Sequence, residues 1–249
     1  MSDTTTEPTT IPAVPTPAAN PPRQFVQYAF FAVDPAWRRL PDVERTAGKE
    51  EFAQVVDDYR GRAVIVPLST MATRGDCDFC LWRIAYDLEV FQEMTARLLA
   101  TGLGKYLTRP YQYLGQAKTS VYEDEFIHPS QEEKRSRVRP GAFKYLFVYP
   151  FVKSREWFLL GAEERQKIMR EHIKVGHEYP SIKLNTIYSF GLDDQEWVVA
   201  FESNRPSDFV DLVMELRHTQ SSLYTVRDTP IFTCLRGENI RAVLDTLGG

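Results

Sequence analysis

The sequence predicts an α+β fold: two tandem ferredoxin-like units whose sheets pair into a dimeric α+β barrel. Three observations carry this reading. The order strand, helix, strand, strand, helix, strand, which defines the ferredoxin-like unit, can be read twice along the chain. A strongly polar connector separates the two runs. The 249 residues, 43% of them hydrophobic, suffice for one large core or two packed modules. The expected division is a disordered tail over residues 1–22, a first unit over 23–121, a connector over 122–141 and a second unit over 142–249. The repeat is one of element order, not of sequence identity.

The tail is rich in Thr, Pro and Ala, with no basic start and no apolar centre, so it is neither a secretory signal nor a basic transit peptide. Phe25–Val33 is aromatic and β-branched, hence a strand, and Asp34-Pro35 ends it. A helix over about Asp42–Tyr59 carries Val43, Phe52, Val55, Val56 and Tyr59 broadly on one side. Arg62–Leu68 is a short apolar strand. Asp76–Tyr86 is another, in which Phe79, Leu81 and Arg83 alternate with Asp78, Cys80 and Trp82. Leu88 to about Thr101 is a helix stopped by Gly102 and Gly104, and Tyr111–Val121 is the closing strand. In the connector, His128-Pro129 is followed by Lys134, Arg135, Arg137 and Arg139. This stretch is either a solvated loop or a basic clamp for an anionic ligand.

The second run opens with a strand, Lys144–Pro150, and an extended segment that delivers Tyr149, Lys153 and Trp157 to one place. A helix from Gly161 to about Val175 follows, with Glu163 and Glu164 in its first turn, where acidic side chains suit the helix dipole. Met169, His172, Ile173 and Gly176 share a face of that helix. Strands Ile182–Phe190 and Glu196–Glu202 are joined by the turn Gly191-Leu192-Asp193-Asp194. A helix over Pro206 to about Gln220 turns Phe209, Leu212, Val213 and Leu216 inward. Ile231–Leu235 is a strand, and Glu238–Leu247 is a short closing helix.

Thirty basic residues stand against 34 acidic ones, for a net charge of −4, which gives no sign of nucleic-acid or anionic-membrane partners. No apolar run approaches the roughly 18–20 residues that cross a bilayer. Three cysteines fit a reducing compartment, so the expected location is cytoplasmic. Cys77 and Cys80 have CxxC spacing, but inside the expected strand they point to opposite faces and no second pair completes a zinc site. Cys234 lies in another strand. His177 and His218 read as solvent-facing residues at helix ends. There is no glycine-rich phosphate loop, serine elbow or HExxH motif. His172 is either a ligand to a metal or haem iron, or a neutral core histidine bonded to a carbonyl. Tyr149 stands apart from the other aromatic residues: it precedes a proline, ends a strand and lies four residues before a lone lysine.

Tyr149-Pro150-Phe151-Val152-Lys153 with Arg155-Glu156-Trp157, then Glu171-His172, Tyr179-Pro180, Tyr188 to Asp194, Trp197 and Met214 to Arg217, resembles the chlorite dismutase-like haem protein family. The resemblance is to its coproheme decarboxylase branch, and it is dense from Lys144 to about Cys234. It implies two ferredoxin-like units per subunit, a homopentamer, and a haem-binding second half. The implied reaction is hydrogen-peroxide-dependent oxidative decarboxylation of iron coproporphyrin III (coproheme) to haem b. Coproheme is then both substrate and redox centre, and a transient contact with ferrochelatase is implied by the pathway. His172 matches the axial iron ligand, Tyr149 the residue that becomes a radical, and Lys153 a lysine near the propionates. Trp157 belongs to the same motif. The family's distal position falls on Leu184 or Asn185. Neither is the arginine of true chlorite dismutases, and those enzymes lack a tyrosine at Tyr149. In the branch most similar to this sequence the distal residue is a histidine upstream of the catalytic strand, for which His128 is the candidate, as general base toward peroxide. Ser221 matches the residue that hydrogen-bonds the axial histidine. Arg135 ranks first among Arg135, Arg137 and Arg139 for the propionates. The rival readings are a haem-binding or haem-delivery protein without turnover, and a chlorite dismutase or peroxidase-type haem enzyme.

Overall fold

The computed structural model describes residues 22–122 and 137–248. The expected tail up to residue 21, and His128 and Arg135 of the connector, lie outside them. In chain order the elements are β1 (Phe25–Val33), α1 (Asp42–Asp58), β2 (Val64–Ser69), β3 (Phe79–Ala85), α2 (Leu88–Ala100) and β4 (Leu107–Gln116). After the connector come β5 (Tyr145–Lys153), α3 (Arg155–Leu159), α4 (Ala162–His177), β6 (Ile182–Tyr188), β7 (Trp197–Ser203), α5 (Pro206–Arg217), β8 (Thr225–Arg227), β9 (Phe232–Arg236) and α6 (Ile240–Leu244).

The first half forms a sheet in the order β4-β1-β3-β2 and the second in the order β6-β7-β5-β9, every pair antiparallel. Two short seams close the eight strands on themselves. Leu68 and Ser69 of β2 pair with Arg236 and Leu235 of β9, and Gln116 of β4 pairs with Tyr188 of β6. Strand alternation then sorts the side chains. Val26, Tyr28, Phe30, Trp82, Val148, Ala200 and Phe232 fill the barrel. Ala29, Phe31, Phe79 and Leu81 face outward under α1 and α2. Phe147, Tyr149 and Phe201 form the outer face of the second half, against Phe209 and Leu212 of α5. Strands buried on both faces read as nearly continuous apolar runs, which is why β1 and β5 show so little polar alternation.

Several expected elements shift. β5 runs through Pro150 to Lys153. Its pairing with β9 stops at Val148, opposite Phe232, and β8 takes over at Val152, opposite Arg227, so the proline falls opposite the gap between two partners. β4 starts at Leu107, because a register shift against β1 between Phe30 and Ala32 absorbs Arg109-Pro110 as a bulge, and it ends at Gln116 opposite Phe25. Arg155–Leu159 is a helical turn rather than an extended segment. Gly176 and Val43 are exposed; the buried side of α4 is led by Ile168, and that of α1 by Phe52, Val55 and Val56. Cys77 precedes β3, so strand alternation does not separate it from Cys80. Both thiols, with Cys234, enter the barrel core, and all are free.

Gly115 is required at the β4–β6 seam: a Cβ there would meet Ser189 Oγ at 2.8 Å and Ile187 Cδ1 at 2.9 Å. Asp193 secures the same seam by accepting from Leu114 N at 2.8 Å. The last helix, α6, leaves the second half altogether. Ile240, Val243, Leu244 and Leu247 complete the core under α1, and Arg241 pairs with Glu50 and Asp57 of that helix. Among the described residues no helix is long and apolar enough to cross a membrane.

Candidate functional site

The site lies on the outer face of the second half, where the odd-numbered positions of β5 present Tyr149 and Lys153. Tyr149 is only 8% exposed and stacks on Phe201 with ring centroids 6.0 Å apart. Burial pushes its hydroxyl well above the ordinary phenol value. The Asp228 carboxylate adds to this and Arg217, which pairs with Asp228, opposes it. The phenol is therefore fully protonated at neutral pH.

Lys153 is 5% exposed, and no carboxylate lies within ion-pairing distance among the described residues. Its Nζ donates to Ser221 O at 2.5 Å and to Ser221 Oγ at 2.9 Å. It also lies 4.7 Å from the ring centroid of Trp157 and 5.3 Å from that of Phe151, where the ring quadrupoles favour a cation. Burial brings its pKa down to about 8. Ser154 opens α3, whose first full turn buries Trp157 to 1% exposure and fixes it beneath the lysine.

His172 projects from the inner side of α4. Burial, and secondarily the Lys153 charge, depress its pKa to about 4, so the ring is neutral at pH 7. Its Nδ1 is buried and has no hydrogen-bond partner. Six other buried side-chain atoms among the described residues, Trp82 Nε1 and Ser189 Oγ included, are likewise unpartnered, so the orphan nitrogen leaves room for a further group without requiring one. Ser221, expected to hold the imidazole, instead engages Lys153, and its Oγ lies 3.9 Å from Met169 Sδ. The sequence alternatives at the distal position separate cleanly. Leu184, 53% exposed, pairs with Phe201 and faces the site. Asn185 points into the barrel, where its Nδ2 donates to Glu202 Oε1 at 3.0 Å, so it is not a ligand-facing residue. His128 and Arg135 fall outside the described residues.

Beside Trp157 opens a cavity of about 630 Å³, within the size range of small-molecule sites. Tyr188, Phe190 and Trp197 line it, and Arg23, Lys118 and Arg165 are its only charged residues among the described ones. Sequence reasoning missed these three cations. They lie far apart in the chain and barrel closure brings them together, so no local pattern marks them. The residues present fit a haem-type group. At His172 a neutral imidazole with an orphan ring nitrogen suits an iron ligand; the cavity beside Trp157, whose lining does not include His172, has aromatic walls and charges that suit carboxylates. Among the described residues no three His, Cys, Asp or Glu side chains converge on a point, so an ion bound at His172 would have to bring its other ligands with it.

Fold and site together define an α+β-barrel protein with a buried tyrosine, lysine and histidine on the outer face of its second half and an aromatic, cationic cavity beside Trp157. The chain belongs to the chlorite dismutase family, whose sequence pattern matches residues 45–237. It is 30% identical over 225 residues to the coproheme decarboxylase of Mycolicibacterium smegmatis, covering 87% of this chain and 91% of that one. It is 28% identical over 214 residues to the coproheme decarboxylase of Staphylococcus carnosus, covering 78% and 84%. Among solved structures, a mutant chlorite dismutase from Candidatus Nitrospira defluvii superposes with a TM-score of 0.83 at 24% identity, covering 91% of this chain and 96% of that one. A haem-binding protein from Thermus thermophilus gives 0.80 at 24% identity, with the same coverages. Those two likenesses show the fold.

Proposed function

We propose that the protein is a coproheme decarboxylase that converts iron coproporphyrin III to haem b with hydrogen peroxide. The observation that carries this is the pairing of a buried, protonated Tyr149 with a desolvated Lys153 on one strand face, close to a neutral His172. Relatives of that name matching most of the chain support it. His172 would hold the substrate's iron through a ring nitrogen, and the bound iron supplies the oxidising power of peroxide. Tyr149 gives up an electron and a proton, and the resulting tyrosyl radical takes hydrogen from a propionate side chain. Each cycle breaks the bond to the carboxyl group, releases carbon dioxide, leaves a vinyl group and reduces one peroxide to two waters. Lys153, near pKa 8, can hold a carboxylate as a cation or accept its proton as an amine. Leu184 on the site face is a poor partner for chlorite, which argues against a chlorite-degrading role. The homopentamer and the contact with ferrochelatase belong to the same proposal.

The test is to load the protein with ferric coproheme, add peroxide in small steps and follow porphyrin mass by chromatography. The expected result is loss of two carboxyl groups as carbon dioxide, abolished in Tyr149→Phe. Binding with unchanged mass would leave a haem carrier. Absence of binding would make His172 a core histidine.

A further inference from the structure

We propose that the proline-rich N-terminal segment of this chain, residues 8–21, docks in the aromatic cavity beside Trp157 of the same molecule. The inference stands apart from the proposed reaction. It needs only the cavity and the sequence of the tail, and neither Tyr149, Lys153 nor His172 lines that cavity.

The point of attachment is the first observation. Arg23 and Phe25, which follow the segment, both line the cavity. The chain is pinned there: Gln24 O accepts from Ala117 N at 2.8 Å, and Gln24 Oε1 accepts from Val138 N at 2.8 Å. A segment tethered at the wall meets the cavity at an effective concentration in the millimolar range, so even weak docking is populated. The second observation is the surface left open. Val121, Phe190 and Leu192 line the cavity yet are 67%, 50% and 42% exposed. With Tyr188 and Trp197 they make an aromatic, apolar groove, the kind of surface that takes proline-rich segments. Proline has its φ already fixed, so little conformational entropy is lost on docking.

The pattern of the tail is the third. Six prolines lie between positions 8 and 22. At the three-residue period of a polyproline helix, Pro12, Pro15, Ala18 and Pro21 share one face and Ile11, Val14 and Pro17 the next. Two of three sides are then apolar. Residues 1–22 also hold Asp3 and Glu7 but no Lys or Arg, which complements Arg23, Lys118 and Arg165 around the cavity.

The test uses the full chain. Of its four tryptophans, Trp37, Trp82 and Trp157 are fully buried, whereas Trp197 is half-buried in the cavity wall, so acrylamide quenching of fluorescence reads Trp197. Pro12→Ser/Pro15→Ser/Pro17→Ser is expected to raise the quenching constant about twofold with the thermal midpoint unchanged. A synthetic peptide of residues 8–22, added at millimolar concentration, should bring the variant back toward wild type. On wild type, whose cavity is filled, it should have less than about a third of that effect. Equal quenching of the two chains would overturn the proposal. So would a difference that vanishes on dilution, which would give the cavity to the tail of a second copy. Conversion of coproheme does not enter any of these outcomes, and its failure would overturn the proposed reaction alone.

Discussion

The side chains that matter most are ones whose burial works against their charge. His172 has its pKa depressed to about 4 and Lys153 to about 8. For a base whose folded pKa lies below its unfolded value, the protonated form is the disfavoured one. The cost of charging His172 is therefore complete below about pH 4 and absent above about 6.5. Ligand-free protein should lose about 3 kcal/mol of stability as pH falls through that window. Urea unfolding at pH 7 and pH 4.5 measures this, and His172→Leu should flatten the difference. The corresponding window for Lys153 runs from about 8 to 10.5, with stability rising toward the alkaline end. Lys153→Met should therefore leave ligand-free stability unchanged or raise it by about 1 kcal/mol, while decarboxylation fails. Unfolding of the variant alongside porphyrin mass checks both halves of that statement. Tyr149, Lys153, Trp157 and His172 were legible in the sequence because they lie on one strand, one turn and the next helix. The distal position was not. Leu184 and Asn185 are neighbours on a strand, and a one-residue uncertainty exchanges the site face for the barrel interior.

At the scale of elements, composition gave the kind of each segment but not where pairing would let it run. A proline usually ends a strand, yet β5 continues past Pro150 because two different partners flank it. The bulge at Arg109-Pro110 likewise moves β4 toward the N-terminus, and only the partner strand reveals it. β8, three residues long, carries too little pattern to be seen alone. The seam between β4 and β6 is the most exacting junction, since a single residue pair and one glycine bring the two sheets together. Gly115→Val should cost about 1–3 kcal/mol through overpacking against Ser189 and Ile187. Chemical denaturation measures it, and Ile187→Ala, costly on its own because Ile187 is fully buried, should cost less in the Gly115→Val chain than in wild type, a coupling that a purely backbone effect would not produce.

For the whole molecule, the repeated element order announced the barrel, and closure of the barrel made the site. Most of the aromatic wall comes from the second half, but Arg23, Phe25 and Lys118 of the cavity come from the first. No reading of one half alone could find it. The final helix shows the same interdependence in packing. Leu244→Ala should cost about 2–5 kcal/mol, as for other fully buried leucines, although it is remote in sequence from the core it fills. Thermal unfolding followed by tryptophan fluorescence should show one cooperative transition moved to lower temperature, because Trp37 shares that core.

The position of α6 also dictates an order of events during synthesis. Chains emerge N-terminus first and tend to fold as they emerge, but the core beneath α1 lacks Ile240, Val243, Leu244 and Leu247 until residue 240 and beyond have left the ribosome. The half made first is thus completed last. Until then an unfinished apolar surface persists through translation of the whole ligand-binding half, and a nascent chain stalled in between is a substrate for chaperones and proteases rather than a folded intermediate.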